Sequence, residues 1–183
     1  METFSYRTAP TSLKLAVTGW LLLAVEGLGA AGLQIYLRTG LTPSGALRHY
    51  LGDEATLRQP MTIMEIVGIT HAHGFSMPLV AVALAFAFIA SSAREWLKIL
   101  VVVALFIGMV LELGLPWLVR YGPAWGVHLF PLAGVLLVGG LFTSVAVPLY
   151  EMWWPPRATD TAARPQAWQP ARWPPSQADR RAN

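Results

Sequence analysis

The sequence predicts an all-α integral membrane protein, a four-helix bundle with both termini in the cytoplasm. Two observations lead to this fold class. Hydrophobic residues make up 55% of the chain and charged residues only 13%, whereas about 25% of the residues in a soluble domain are charged. Four apolar stretches are also long enough, at about 1.5 Å per residue, to cross the roughly 30 Å hydrocarbon core of a bilayer as helices.

The four stretches define spans joined by polar connections. The predicted spans cover 13–37, 71–90, 96–119 and 125–150, within a single bundle of residues 1–154. The first span is interrupted only by Lys14, Glu26 and Gln34, and it continues past the length of a signal peptide, so we expect it to be retained. Its small residues indicate a face for close packing against another helix. These residues are Gly27, Gly29, Ala31 and Gly32.

The connection between the first two spans is too long for a simple turn. Residues 43–52 are expected to form a short amphipathic helix at the outer membrane surface. Pro60 either opens a second surface helix or lets span two extend outward. Residues 155–183 differ in kind, because their Trp-Pro-Pro segments and scattered arginines offer no helical period. We expect them to form an extended or disordered cytoplasmic tail.

The distribution of Lys and Arg predicts the orientation, because these residues are enriched in cytoplasmic connections. Nine of them lie on the side of the termini, namely Arg7, Lys14, Arg94, Lys98, Arg157, Arg164, Arg172, Arg180 and Arg181. Four lie on the other side, namely Arg38, Arg48, Arg58 and Arg120. We therefore expect a multi-pass protein of the bacterial inner membrane, with residues 40–60 outside.

The candidate site starts at the segment Thr-His-Ala-His-Gly-Phe-Ser-Met-Pro, residues 70–78, at the outer end of span two. Ionisable groups within a span are costly, so their default interpretation is functional. His73 and Met77 are four residues apart and share a helix face, so both can address one metal or cofactor. His71 lies about 200° away from His73 on a regular helix. It can reach the same partner only if Gly74 and Pro78 make the backbone irregular.

Polar groups of other spans are expected at a similar depth. At 1.5 Å per residue, His73, Glu112 and His128 all fall in the outer third of the bundle, and Glu26 lies near the midplane. Spans two and four run in the same direction, so His128 with His73 or His71 can clasp a b-type haem between two helices. A non-haem metal bound by these histidines and Met77 is the alternative. Glu26 and Glu112 are candidates for proton transfer or quinone contact.

Structural interpretations of the same residues remain open. A single histidine at the end of a span is often an interfacial residue bonded to backbone or water. The two acids can be neutral and bonded to neighbouring helices, since a protonated carboxyl group costs far less in lipid. His49, in the polar outer connection, is expected to be solvated.

Several classes of function are excluded by what the sequence lacks. Cysteine is absent, so structural disulfides, Cys-ligated iron–sulfur clusters and covalently attached haem cannot form within the chain. The sequence contains no hydrolytic motif, no phosphate loop, and no basic strip with interleaved aromatic residues for nucleic acid. Nucleic acid is therefore not an expected partner.

Two aromatic segments complete the pattern, residues 115–121 at the end of span three and residues 148–154 at the end of span four. Each combines a proline with Trp and Tyr, as expected at a membrane interface. Together with the Thr-His-x-His segment, they resemble small, poorly characterised bacterial four-span membrane proteins, over roughly residues 60–154. The resemblance implies the topology alone.

The favoured function is a membrane subunit of an electron-transfer assembly that binds b-type haem or a metal near the outer face, with possible quinone contact. The expected partners are the lipid bilayer and other membrane or redox subunits. One alternative is a non-catalytic scaffold or assembly subunit, whose polar residues hold helices together. The other is a small metal-handling transporter, although the chain lacks the internal repeat of many transporters.

Overall fold

A computed structural model of the chain describes residues 4–154 and contains five α-helices in that range. They are α1 (Thr11–Thr39), α2 (Pro43–Leu51), α3 (Ile63–Ile89), α4 (Glu95–Tyr121) and α5 (Phe130–Trp153). The helices α1, α3, α4 and α5, the last with the 3-10 segment before it, are long and apolar enough to cross a membrane. The all-α prediction is confirmed. The predicted tail, 155–183, lies outside the described residues.

The second spanning helix begins earlier than its apolar run. Its first residue is Ile63 rather than His71, because Thr62 and Glu65 form a reciprocal capping box that satisfies free backbone N–H groups at this end. Of the two alternatives for the segment after Pro60, the outward extension of span two is therefore the one that forms. The short helix predicted within 43–52 is present as α2.

The two ends of the bundle differ in which segments they hold, and we name them accordingly. The loop end contains α2 and the connection from α4 to α5, and the terminal end contains the first described residues and the end of α5. At the loop end, Ala46 of α2 packs with Val119 and Val127, and the Tyr50 ring stacks on Phe130 with centroids 5.7 Å apart. Helix α2 therefore covers the loop end of α4 and α5, and we call this covering helix the α2 cap.

Helices α4 and α5 approach each other closely through glycine. A Cβ atom at Gly108 would lie 2.9 Å from the backbone nitrogen of Leu137, and one at Gly140 would lie 2.9 Å from Cγ of Leu105. Small residues are common at helix interfaces in membranes, because they let the backbones come close. These two glycines thus determine how near the helices lie.

Only part of helix α1 packs against the other helices. Leu21 is fully buried and packs with Leu84 and Val145 near the terminal end. By contrast, every residue of 31–38 is exposed. Around Gly29 and Gly32, which were expected to form a packing face, the described residues leave open space within 4 Å. That face has no partner within residues 4–154.

The terminal end is closed by buried polar contacts. The hydroxyl group of Tyr6 donates to the carbonyl oxygen of Ala87 at 2.8 Å. The carboxylate of Glu151, only 3% exposed, accepts from the backbone N–H of Ser92 at 2.8 Å and from the hydroxyl of Ser5 at 3.3 Å. These bonds tie the first described residues to α3, α5 and the α3–α4 turn.

Candidate functional site

The histidine segment of α3 lies on regular helix. The helix is continuous through Gly74 and Pro78, so the backbone irregularity that would let His71 and His73 face one partner does not form. Both histidine side chains are exposed. The His71 ring contacts the edge of Phe75, with centroids 5.5 Å apart. The two imidazoles therefore point in different directions on the surface of α3.

Thr70 and Met77, which lie on either side of the two histidines, are less exposed than the histidine side chains. Met77 is half-buried and lies one helical turn after His73. The hydroxyl of Thr70 accepts a hydrogen bond of 2.8 Å from the Trp117 indole N–H, which joins α3 to α4. The hydrogen bond at Thr70 thus anchors the start of the segment, and the exposed imidazoles follow it.

His128 belongs to the 3-10 segment Ala124–Leu129 that leads into α5, and its side chain is exposed. Within residues 4–154, no three His, Asp or Glu side chains are grouped so that they could hold a metal ion. A haem needs only two axial ligands. The pairing of His128 with His73 or His71 therefore stays a prediction.

The two predicted acids have different surroundings. Glu26 is exposed on α1, whereas Glu112 of α4 is half-buried. Burial raises the pKa of Tyr50 in α2 to about 12, and the negative charge of Glu112 adds to that rise. Glu112 is therefore linked electrostatically to the α2 cap, and Glu26 is not covered by the described residues.

His49 was expected to be solvated, and this prediction is wrong. Its side chain is only 8% exposed, contacts the edge of the Tyr50 ring at 4.9 Å between centroids and bonds through Nδ1 to the Arg58 guanidinium. Burial lowers the pKa of His49, and the positive charges of Arg58 and Arg38 lower it further. Its spacing from Ala46 along one face of α2 was the signal in the sequence.

Among the exposed ionisable residues of the spanning helices are Glu26, His71 and His73. Such residues normally face a bundle interior, a partner or a water-filled cavity when they lie within a membrane. The described part of the chain provides none of these coverings for Glu26. The chemistry that this arrangement allows is hydrogen bonding or ligation to a group other than those of residues 4–154.

Comparison with known proteins gives one family. The family model Aq_1264_TM, described as a transmembrane helical domain, matches residues 40–159. This range contains α2 to α5, so it includes the histidine segment and the α2 cap but not Glu26. No curated protein and no solved structure matches the chain.

Proposed function

Because the chain belongs to the Aq_1264_TM family of transmembrane helical domains, we propose that it is a multi-pass membrane subunit whose helix α1 packs against another transmembrane protein. Its four apolar helices contact the lipid bilayer. The observation that carries the proposal is the exposure of Glu26, midway along a helix long enough to span the membrane. Lipid tails offer this carboxyl group no hydrogen bond, whereas a donor on a partner helix does.

The small residues of α1 support the same proposal. Gly29 and Gly32 have open space around them, although small residues in a membrane helix typically allow another helix to approach closely. Large apolar side chains nearby are also exposed, including Leu33 at 57%. A partner helix would cover the glycines and Glu26 together.

A cross-linking experiment tests this proposal directly. The chain has no cysteine, so one introduced thiol reacts without background. We expect the thiol of Leu33→Cys on α1 to form a cross-linked adduct with the partner protein in native membranes. Val110→Cys on α4 is the matched control, since Val110 is exposed to a similar degree, 66% against 57%. Equal adduct yields at the two positions, or none at either, would contradict the proposal.

A second candidate function is electron transfer within that assembly, through b-type haem or a non-haem metal. It is supported by the shared helix face of His73 and Met77 and by the exposure of the imidazoles, which leaves them accessible to a ligand. His128 or His71 would supply the second protein ligand. A reduced-minus-oxidised optical spectrum of the purified assembly should then show haem bands, and metal analysis detects a non-haem site.

Ligand substitutions sharpen that test. His73→Ala and His128→Ala should remove the cofactor while the fold is kept, because both side chains are exposed and contribute little packing. Full cofactor retention in both variants would refute these ligands.

Glu112→Gln examines proton or quinone contact at the half-buried acid. The substitution removes the titratable proton but keeps the size of the side chain. We therefore expect turnover of the native assembly to fall while assembly itself is unchanged. Normal turnover would leave Glu112 with a structural role.

A further inference from the structure

A cavity of about 310 Å³ opens at the loop end, between the end of α1, helix α2 and the turn that follows it. Three arginines line this cavity, Arg38 from α1, Arg48 from α2 and Arg58 from the turn, together with the carboxylate residue Asp53. The guanidinium groups outnumber the carboxylate by three to one. The lining is therefore suited to an anion.

The Asp53 carboxylate accepts local hydrogen bonds, and its single negative charge leaves a net positive charge in a lining with three arginines. One oxygen accepts from the backbone N–H of Ala55 at 3.1 Å, and the other accepts from the Thr56 hydroxyl at 3.1 Å. Within residues 4–154, the structure gives neither Arg38 nor Arg48 an ion-pair partner. Two of the three guanidinium groups thus remain available to a ligand.

The cavity is built by specific backbone geometry. Gly45 lets the start of α2 approach the end of α1, since a Cβ atom there would collide with the carbonyl oxygen of Thr39. The Thr42 hydroxyl caps α2 by accepting from the N–H of Gly45 at 3.0 Å. Gly52 ends the helix with φ of +86°, a conformation that favours glycine. These features determine where Arg38 and Arg48 lie relative to each other.

The positive charge of the arginines in this cavity affects the buried neighbour His49. The positive charges of Arg58 and Arg38 help to lower the pKa of His49, after burial. A neutral imidazole accepts a hydrogen bond from the Arg58 guanidinium through Nδ1. This contact restrains Arg58 at the cavity wall without cancelling its charge.

We propose that the arginine cavity, lined by Arg38, Arg48 and Arg58, binds a phosphate group. Arginine can donate two parallel hydrogen bonds to phosphate oxygens. The residues Thr42 and Thr56, which carry hydroxyl groups, belong to the same lining. Arg38 stands in the last turn of a spanning helix, at the depth where lipid headgroups lie. The phosphate can therefore come from a phospholipid headgroup or from solution. The inference does not depend on a partner for α1.

Two binding measurements on the full chain distinguish these sources. In the first, inorganic phosphate is titrated calorimetrically into the protein in a detergent that carries no phosphate group. In the second, native mass spectrometry measures phosphatidic acid retained by the protein from mixed vesicles with phosphatidylcholine. Arg38→Gln and Arg48→Gln are compared with Arg94→Gln, a matched control at an exposed residue whose side chain makes no capping bond.

We expect Arg38→Gln and Arg48→Gln each to weaken binding about tenfold or more, as loss of a charge-assisted hydrogen bond predicts, and Arg94→Gln to leave it unchanged. An effect on phosphate titration identifies the soluble source, and an effect on phosphatidic acid alone identifies the headgroup. Binding of neither probe, or equal binding by all three variants, overturns the proposal. If the Gln variants do not fold, Arg48→Lys decides, because it keeps the charge but loses the paired geometry. Undiminished binding by that variant then overturns it.

Discussion

The glycines of α4 and α5 differ from those of α1 in what surrounds them. At Gly108 and Gly140 an added Cβ atom would meet the facing helix at 2.9 Å, whereas at Gly29 and Gly32 the described residues leave open space within 4 Å. In the first region the small residues serve a contact that the chain completes by itself. In the second, the same residue type lies on an uncovered surface. Small residues in a membrane helix therefore mark a contact without saying whether its partner belongs to the same chain.

The acids show the same contrast. Glu151 is buried and bonded at the terminal end of the bundle, whereas Glu26 is exposed on α1. A buried carboxylate that accepts hydrogen bonds stabilises the fold around it. The described residues give the exposed Glu26 no hydrogen bond that would stabilise the fold of residues 4–154. This difference separates residues that hold the fold from residues available for an interaction.

The largest expected effect comes from adding one methyl group at each kind of glycine. Gly108→Ala should destabilise the purified chain by about 1 to 3 kcal/mol, because the new Cβ atom overpacks the α4–α5 contact. Gly32→Ala, the matched control, should be neutral or slightly stabilising, since alanine favours a helix where space is available. Thermal unfolding in detergent measures both. A similar loss for the two variants would remove the distinction between the regions.

Removal of the two acids tests the second contrast. Glu151→Ala leaves the buried N–H of Ser92 without its acceptor, and we expect a cost of about 1 to 3 kcal/mol in the free energy of unfolding. Glu26→Ala should leave the unfolding of the isolated chain unchanged while it weakens assembly with the partner. Denaturant titration of both variants provides the comparison. Equal stability of Glu151→Ala and wild type would contradict the role assigned to this carboxylate.

A smaller effect is expected where α3 meets α4 beside the histidine segment. Thr70→Val keeps the shape of the side chain but removes the acceptor for the Trp117 indole N–H. Interhelical hydrogen bonds in membranes contribute about 0.6 kcal/mol on average, so the melting temperature should fall only slightly. A fall as large as that of Gly108→Ala would mean that this bond contributes as much to stability as the close packing of α4 on α5.

The smallest effect concerns pH and the α2 cap. The folded state lowers the pKa of His49, so the unfolded chain binds more protons below about pH 6.5, the ordinary value for histidine. Stability is therefore retained above that pH and lost as the pH falls toward the lowered pKa. Thermal unfolding of wild type between neutral and mildly acidic pH should show this loss, and His49→Gln should show less of it. The same slope in both proteins would assign the titration to other groups.

The sequence by itself determined the number and approximate position of the spanning helices, because apolar length is a local property that a bilayer makes decisive. It also located α2, whose cap and short amphipathic period are local. The start of α3 depended on one capping box, and it shifted the histidine segment from the end of a span to the interior of a helix. The sequence predicts polar residues at matched depths along the bundle axis, from the rise per residue.

Only the tertiary structure decided which way those residues face. Depth follows from the rise per residue, but rotation of a helix about its axis follows from packing against its neighbours. Thus Glu26 and His73 proved exposed, while His49 proved buried against Tyr50 and Arg58. The arginine cavity likewise joins residues from α1, α2 and the next turn, and the absence of a side chain at Gly45 lets α1 and α2 approach each other. Contacts between separate elements depend on the whole arrangement, which no local pattern specifies.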